Sequence, residues 1–266
     1  MNTSSAARFH ALHHQPLPLR LPNAWDAGSA RQIEMLGAQA IATTSAGVAW
    51  SLGYRDGNQL PVAEYVARAA SIARVINIPL SADIEGGYHE HPATVADTVR
   101  QMIDVGVVGI NIEDGSAHPQ LLCRKVEAIR AASISAGVEL YINVRTDVYA
   151  RNLVPAGDKA GEVILRAQNY RHAGADGLFV LGLVEAQEMQ AIAKGSDLLL
   201  NVSVWPQLPP LASLTACGVR RISAGSWLPQ TLWASNKQLV RGFLSQDETA
   251  PLMATATPYA DINALF

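Results

Sequence analysis

Residues 78–91 read IPLSADIEGGYHEH: an apolar run, two carboxylates on it, then a pair of glycines. Ser81, Asp83 and Glu85 occupy every second position. Alternate residues of an extended strand share a face. The segment therefore reads as a buried strand whose polar face comes to a point at its C-terminal end.

The same unit, strand then helix, repeats on both sides. Residues 19–25 (LRLPNAW) read as the first strand and 26–37 as its helix, with Asp26 as N-cap and Gly37 as stop. Residues 40–50 (AIATTSAGVAW) read as the second strand, followed by a helix that Pro61 opens. Strand three spans 78–88, strand four 107–115, strand five 139–149, strand six 175–183, strand seven 197–205 and strand eight 219–227, each followed by a helical pattern. The final helix is expected near Pro229–Leu244. Parallel neighbours need a crossover, and a helix supplies it. Eight such units predict an α/β fold, a (β/α)8 TIM-type barrel, as a single domain over 1–266 with 245–266 as a C-terminal tail or swapped segment. An open doubly wound sheet is the runner-up. It is weakened by the lack of a G-x-G-x-x-G turn after strand one.

Composition narrows the function. The chain has 266 residues, 49% hydrophobic and 16% charged, against roughly 25% charged in soluble domains. Net charge is −3 with no basic block, which speaks against nucleic acid as a partner. Cys123 and Cys217 are too few for a disulfide framework or a zinc site. No stretch has the length of a signal or membrane segment, so a cytoplasmic protein with no membrane partner is expected. The four lysines, Lys125, Lys159, Lys194 and Lys237, all fall outside the strands, which argues against imine chemistry.

In barrels the chemistry sits at the C-terminal strand ends. Read with a two-residue period, strand two offers Thr43, Ser45 and Gly47, strand four Asn111 and Glu113, strand five Asn143, Arg145 and Asp147, and strand seven Asn201 and Ser203. With Ser81, Asp83 and Glu85 from strand three, the inward ends gather Asp83, Glu85, Glu113 and Arg145, and the loop LGYRDGN adds Asp56. Carboxylates so crowded repel one another unless a cation intervenes. Oxygen ligands suit Mg2+, with Mn2+ as the alternative. A plain Glu113–Arg145 salt bridge is the structural reading of the same residues. The histidines of HEH read as surface or capping groups, and His118 as a loop residue.

The stretches PNAWDAGSA, TTSAGVAWSLGYRDG, SADIEGGY, GINIEDG and NVRTD, in order over roughly residues 20–150, resemble the isocitrate lyase/phosphoenolpyruvate mutase superfamily. The resemblance implies a (β/α)8 barrel whose last helix is exchanged in dimers or tetramers. It implies Mg2+-dependent chemistry on a small 2-oxo acid or dicarboxylate through an enolate. Carried over by position, Ser45, Ala46 and Gly47 would bind the 2-oxo acid. Asp56, Asp83 and Glu113 would surround the metal, with Glu85 close by, and Arg145 would hold the substrate carboxylate. Glu113 and Asp56 join Arg145 as catalytic candidates, and Asn201 is a further substrate-binding candidate. Two departures stand out. Ser81-Ala82-Asp83 replaces the family's Asp-Ala-Asp, and EDGSAHPQLLCRK lacks the KKCGH lid of the isocitrate lyases. Carbon–carbon cleavage is the leading expectation. An oxaloacetate-type decarboxylase, a phosphonopyruvate hydrolase or mutase, and a non-catalytic 2-oxo acid binding protein are the alternatives.

Overall fold

The computed structural model describes residues 2–245, 249–254 and 256–266. Residues 246–248 and 255 of the expected tail lie outside the described residues. Nine parallel strands form one sheet: β1 Leu19–Leu21, β2 Asn23–Ala24, β3 Ile41–Thr43, β4 Leu80–Asp83, β5 Gly109–Glu113, β6 Tyr141–Thr146, β7 Gly177–Val180, β8 Leu199–Ser203 and β9 Val219–Ser223. The helices are α1 Asn2–His13, α2 Ala27–Met35, α3 Ser45–Ser51, α4 Val62–Val75, α5 Pro92–Asp104, α6 Pro119–Ser135, α7 Lys159–Ala173, α8 Ala186–Gly195, α9 Leu211–Ala216, α10 Trp227–Ser245, α11 Ala250–Ala254 and α12 Tyr259–Asn263.

The sheet order is β1-β9-β8-β7-β6-β5-β4-β3-β2. β1 and β2 are two halves of one segment broken at Pro22, which has no N–H to give to a ladder. The first half pairs with β9, Leu19 opposite Arg221, and the second with β3, Asn23 opposite Ala42. The ends of the order therefore meet, and the sheet is a (β/α)8 barrel rather than an open sheet. Outward residues such as Ile110, Ile112, Val144 and Val202 are at most 1% exposed beneath the helix layer. Cys123 is buried on α6 and Cys217 half-buried just after α9, both as free thiols.

Two expected elements change, and a further helix appears. Strand two stops at Thr43, and Ser45–Ser51 is helix α3. Ser45 turns because its N–H and its hydroxyl both donate to Asp83 Oδ2, at 3.2 and 3.0 Å. Strand three stops at Asp83, and Glu85 lies beyond it with φ 50°. The stretch before residue 19, to which no element was assigned, forms α1, whose Ala6, Phe9, Leu12 and His13 are buried. Phe9 meets Tyr141 edge-on at 5.5 Å, and His13 stacks on the same ring at 4.0 Å.

Inside the barrel lies a hydrogen-bonded polar layer. Asn143 Nδ2 donates to Asn111 Oδ1 and Asn201 Oδ1, both at 2.9 Å. Arg221, 1% exposed, donates from Nη2 to Asn111 Oδ1 at 3.1 Å. Burial pushes its guanidinium down to about 10, against the opposing pull of Tyr141 and Asp83. α10 follows the expected helix with a buried Pro229, but Leu232, Trp233, Phe243 and Leu244 are each more than half exposed.

His13 gives this floor a signature in acid. Burial first, then the Arg221 charge, pushes its imidazole from 6.5 down to about 3, while its Nδ1–H bond to the Phe9 carbonyl (2.8 Å) resists. The unfolded chain takes up this proton near pH 6.5 and the folded chain only near 3. Stability from His13 is thus complete above pH 6.5 and is lost as the pH falls toward 3. His13→Phe keeps the stacking and removes the proton. Melting curves from pH 7 to 4 should show a shallower acid-side loss in the variant, by about 2–4 °C. Parallel curves would refute the assignment.

Candidate active site

The mouth is built from four strand ends and the loops after them. Asp83 closes β4. Its carboxylate takes both Ser45 donors, its backbone N–H donates to Thr43 Oγ1 at 2.9 Å, and its carbonyl accepts from Tyr65 O–H at 2.8 Å. Asp83 is thereby held rigid by α3, β3 and α4. Ser45, Ala46 and Gly47 form the buried first turn of α3. Gly47 is packed tightly: a Cβ there would lie 2.7 Å from Thr44 Cγ2 and 3.1 Å from Pro229 Cγ.

Ser81 is fully buried, two residues deeper than Asp83. It lies inside the barrel, not at the mouth. The two acids nearest the mouth on this segment are Asp83, which ends the strand, and Glu85 just beyond it. Glu85 is 4% exposed and accepts the Asn58 N–H on Oε2. Burial foremost, then Asp56 and Asp83, pushes its carboxyl up to about 7, although the Asn58 N–H acts the other way. A left-handed residue that is not glycine costs about 1–2 kcal/mol, so this orientation is held against a local preference.

Glu113 ends β5 and Arg145 lies opposite it on β6. Arg145 Nη1 meets Glu113 Oε2 at 2.7 Å. Its Nε and Nη2 donate to the two oxygens of Asp147 at 2.8 and 3.1 Å. Three of the five guanidinium N–H groups are so engaged, which leaves two. Burial opposes the charge on Arg145, but Glu113 and Asp147 outweigh it. Burial likewise pushes Glu113 up to about 8 despite Arg145, with Asp83, Asp147 and Glu85 adding to the rise. Asp147 goes the other way: burial would raise it, yet Arg145 and Arg151 hold it below the usual carboxylate range. Asp56 is on an exposed loop, its carboxyl raised by partial burial and then by Asp83.

The structure thus brings Asp56, Asp83, Glu85, Glu113 and Arg145 into one electrostatic neighbourhood. It does not bring Asn201, which is fully enclosed in the polar layer below, its amide bonded to the Arg221 carbonyl at 3.1 Å. Asn201 supports Asn143 rather than reaching the mouth. Among the described residues, no group of three or more His, Cys, Asp or Glu side chains is arranged to hold a metal by itself. The donors are nevertheless all carboxylate oxygens, three of them with proton affinity raised by burial and mutual repulsion. That set fits a hard cation held largely through water, the habit of Mg2+. His118 is exposed and caps α6, its Nδ1 accepting the Gln120 N–H at 3.3 Å.

Two residues essential to this geometry escaped the sequence reading. Asp114 is 4% exposed. It accepts from the Asp147 N–H at 3.1 Å, from Arg166 Nη1 at 2.9 Å and from Tyr170 O–H at 2.8 Å. Arg221 is the other. The two-residue period that marks Asn201 and Ser203 also marks Arg221 and Ser223, and was the available signal.

The sequence profile of the phosphoenolpyruvate phosphomutase family matches residues 9–244. An uncharacterized protein of Mycobacterium tuberculosis (strain CDC 1551 / Oshkosh) is 36% identical over 96% of this chain and 95% of its own length. The 2,3-dimethylmalate lyase of Eubacterium barkeri is 28% identical over 100% of this chain and 94% of its own. Among solved structures, a candidate phosphonomutase from Burkholderia cenocepacia J2315 is 37% identical, with a TM-score of 0.85 over 90% of this chain and 100% of that one.

Asp114→Asn should expose the dependence of the mouth on its buried support. It leaves the Arg166 guanidinium, its side chain 10% exposed, with a neutral amide on one side and Glu162 2.6 Å from Nε on the other. With that second carboxylate retained, losing the charge-assisted hydrogen bonds to Asp114 costs about 1.5–3 kcal/mol. Urea unfolding should show a loss of that size, and a loss under 1 kcal/mol would mean the pair is not buried in solution.

Proposed function

Because the chain belongs to the isocitrate lyase/phosphoenolpyruvate mutase superfamily, we propose that it is a Mg2+-dependent lyase acting on a small 2-oxo acid or 2-hydroxy-dicarboxylate. It breaks a carbon–carbon bond beside the carbonyl, leaving an enolate. The observation that carries this reading is the pairing of Arg145 with Glu113 at 2.7 Å in the same neighbourhood as Asp56, Asp83 and Glu85. A fixed guanidinium beside crowded carboxylates is a carboxylate clamp next to a site for a hard cation.

The division of labour follows. The free N–H groups of Arg145 grip the substrate carboxylate. The amides of Ala46 and Gly47, in the first turn of α3, stabilise the oxygen on which negative charge develops. Asp83 keeps that turn in place through Ser45. Asp56, Asp83, Glu85 and Glu113 would hold Mg2+ or Mn2+, mostly through water, and when bound the ion supplies Lewis-acid stabilisation of the same developing charge. Glu113, whose proton affinity burial raises, would give up its proton when the ion is held. A solved phosphonopyruvate hydrolase of this fold, 20% identical, was captured with oxalate and Mg2+.

Decarboxylation of an oxaloacetate-like acid is the second reading. It is favoured by the segment between Asp114 and Cys123, where the one titratable side chain, His118, is spent on capping α6. A reaction whose carbanion is protonated from solvent needs no acid on that segment. The assembly we infer is a single barrel whose α10, with Trp233, Phe243 and Leu244 exposed, is exchanged between copies in a dimer or tetramer, with 245–266 as its tail.

Proton NMR of the purified protein with Mg2+ and oxaloacetate, methylisocitrate, dimethylmalate or phosphonopyruvate tests the proposal. Pyruvate, succinate or a related fragment should appear, and EDTA or Glu113→Ala should cut the rate at least 100-fold. Turnover that survives both would overturn the metal assignment. Broadening of an added 2-oxo acid without turnover would favour a binding protein.

A further inference from the structure

The loop that carries Glu85 is folded against its own preferences. Glu85, Gly87 and Tyr88 have φ of 50°, 91° and 59°. Gly87 has no room for a side chain, since a Cβ there would lie 2.6 Å from Val95 Cγ1. Left-handed residues other than glycine persist only where their surroundings over-determine them.

Two groups from outside the loop supply that constraint. On one side is Asn58, itself left-handed at φ 59°. It donates its backbone N–H to Glu85 Oε2 and accepts the Tyr88 N–H on Oδ1 at 3.1 Å. On the other side Lys125 reaches out of α6 and donates from Nζ to the Gly86 carbonyl at 2.6 Å. Lys125 is 7% exposed. Among the described residues no carboxylate lies within ion-pair distance of it. Burying an ammonium is costly, and here its charge is directed at the carbonyl of Gly86, the residue between Glu85 and Gly87. The helix that carries Lys125 begins directly after the 114–118 segment at the mouth.

We propose that Lys125 is a positioning residue for the mouth: its ammonium locks the Gly86 peptide and, with Asn58, fixes the left-handed turn that aims Glu85 at Asp56 and Asp83. This rests on the reading of the mouth as a metal-dependent site. The two claims are separable, because the loop constraint exists with or without a metal.

Lys125→Met keeps the length and apolar stem of the side chain and removes its donors. Hydrogen–deuterium exchange of the metal-free protein should show residues 84–88 exchanging at least about tenfold faster than in the parent. Mn2+ alone, titrated by electron paramagnetic resonance, should bind about 10–100-fold more weakly, as expected when an outer support of a ligand is lost. Lys125→Arg should restore part of both. Unchanged exchange and unchanged Mn2+ affinity, with only a lower melting temperature, would make Lys125 a packing residue and overturn the proposal. If the parent does not bind Mn2+ yet the exchange still rises, the clamp stands and the metal reading falls. Asn58→Gly, which keeps the left-handed backbone and the N–H to Glu85, provides a second route should Lys125→Met fold poorly. It should raise exchange at the same segment, and no change there would count against the clamp.

Discussion

Charge largely withdrawn from water governs this barrel. Its carboxylates and guanidiniums form one connected chain: Glu113, Arg145, Asp147, then Asp114 through the Asp147 peptide, then Arg166. Where an acid receives two arginines, as Asp147 does, it is held below its ordinary range. Where burial outweighs the single partner, as at Glu113, it is pushed up to about 8. Residues of the same chemical type, at neighbouring strand ends, are thereby separated into one whose ionised form is favoured and one whose proton affinity is raised. Position in the network makes that difference.

The parallel sheet and the helix layer could be read from the chain because each strand is a short apolar run followed by an amphipathic helix, and the outward residues alternate as the barrel requires. Asp83, Glu113 and Arg145 could be read because they end strands with an unbroken two-residue period. Ser45–Gly47 could not: TTSAGVAW shows neither a clear two-residue nor a helical period, and so short a run looks the same as strand or helix. What decides it is Asp83, 38 positions away, which takes the Ser45 donors. The left-handed turn at Glu85 is invisible for the same reason, since its cause lies in Asn58 and Lys125. Helix α1 carries its apolar face on Ala6, Phe9, Leu12 and His13, a stripe too thin to announce itself without the barrel floor it covers. Asp114 gives no local sign at all, because its partner Arg166 is 52 residues distant.

The polar interior has a structural cost, and the floor shows how it is met. A guanidinium as deeply enclosed as Arg221 would be an unfavourable choice for stability alone. Here it joins the Asn111–Asn143–Asn201 layer directly beneath four crowded acids. The barrel places a positive charge below its negative mouth, so the electrostatics of the site extend well under the surface a substrate would touch.

The break at Pro22 has a bearing on how the chain reaches this state. Leu19 finds its partner in Arg221, about two hundred residues further along, whereas Asn23, just past the proline, pairs with the nearby Ala42. A chain emerging from the ribosome can therefore lay down its strands in sequence, each against the one before. The first of them keeps an open edge for almost the whole of synthesis. Ring closure is a single long-range event, slow for entropic reasons, and until β9 arrives the nascent barrel exposes the strand edge it will later seal.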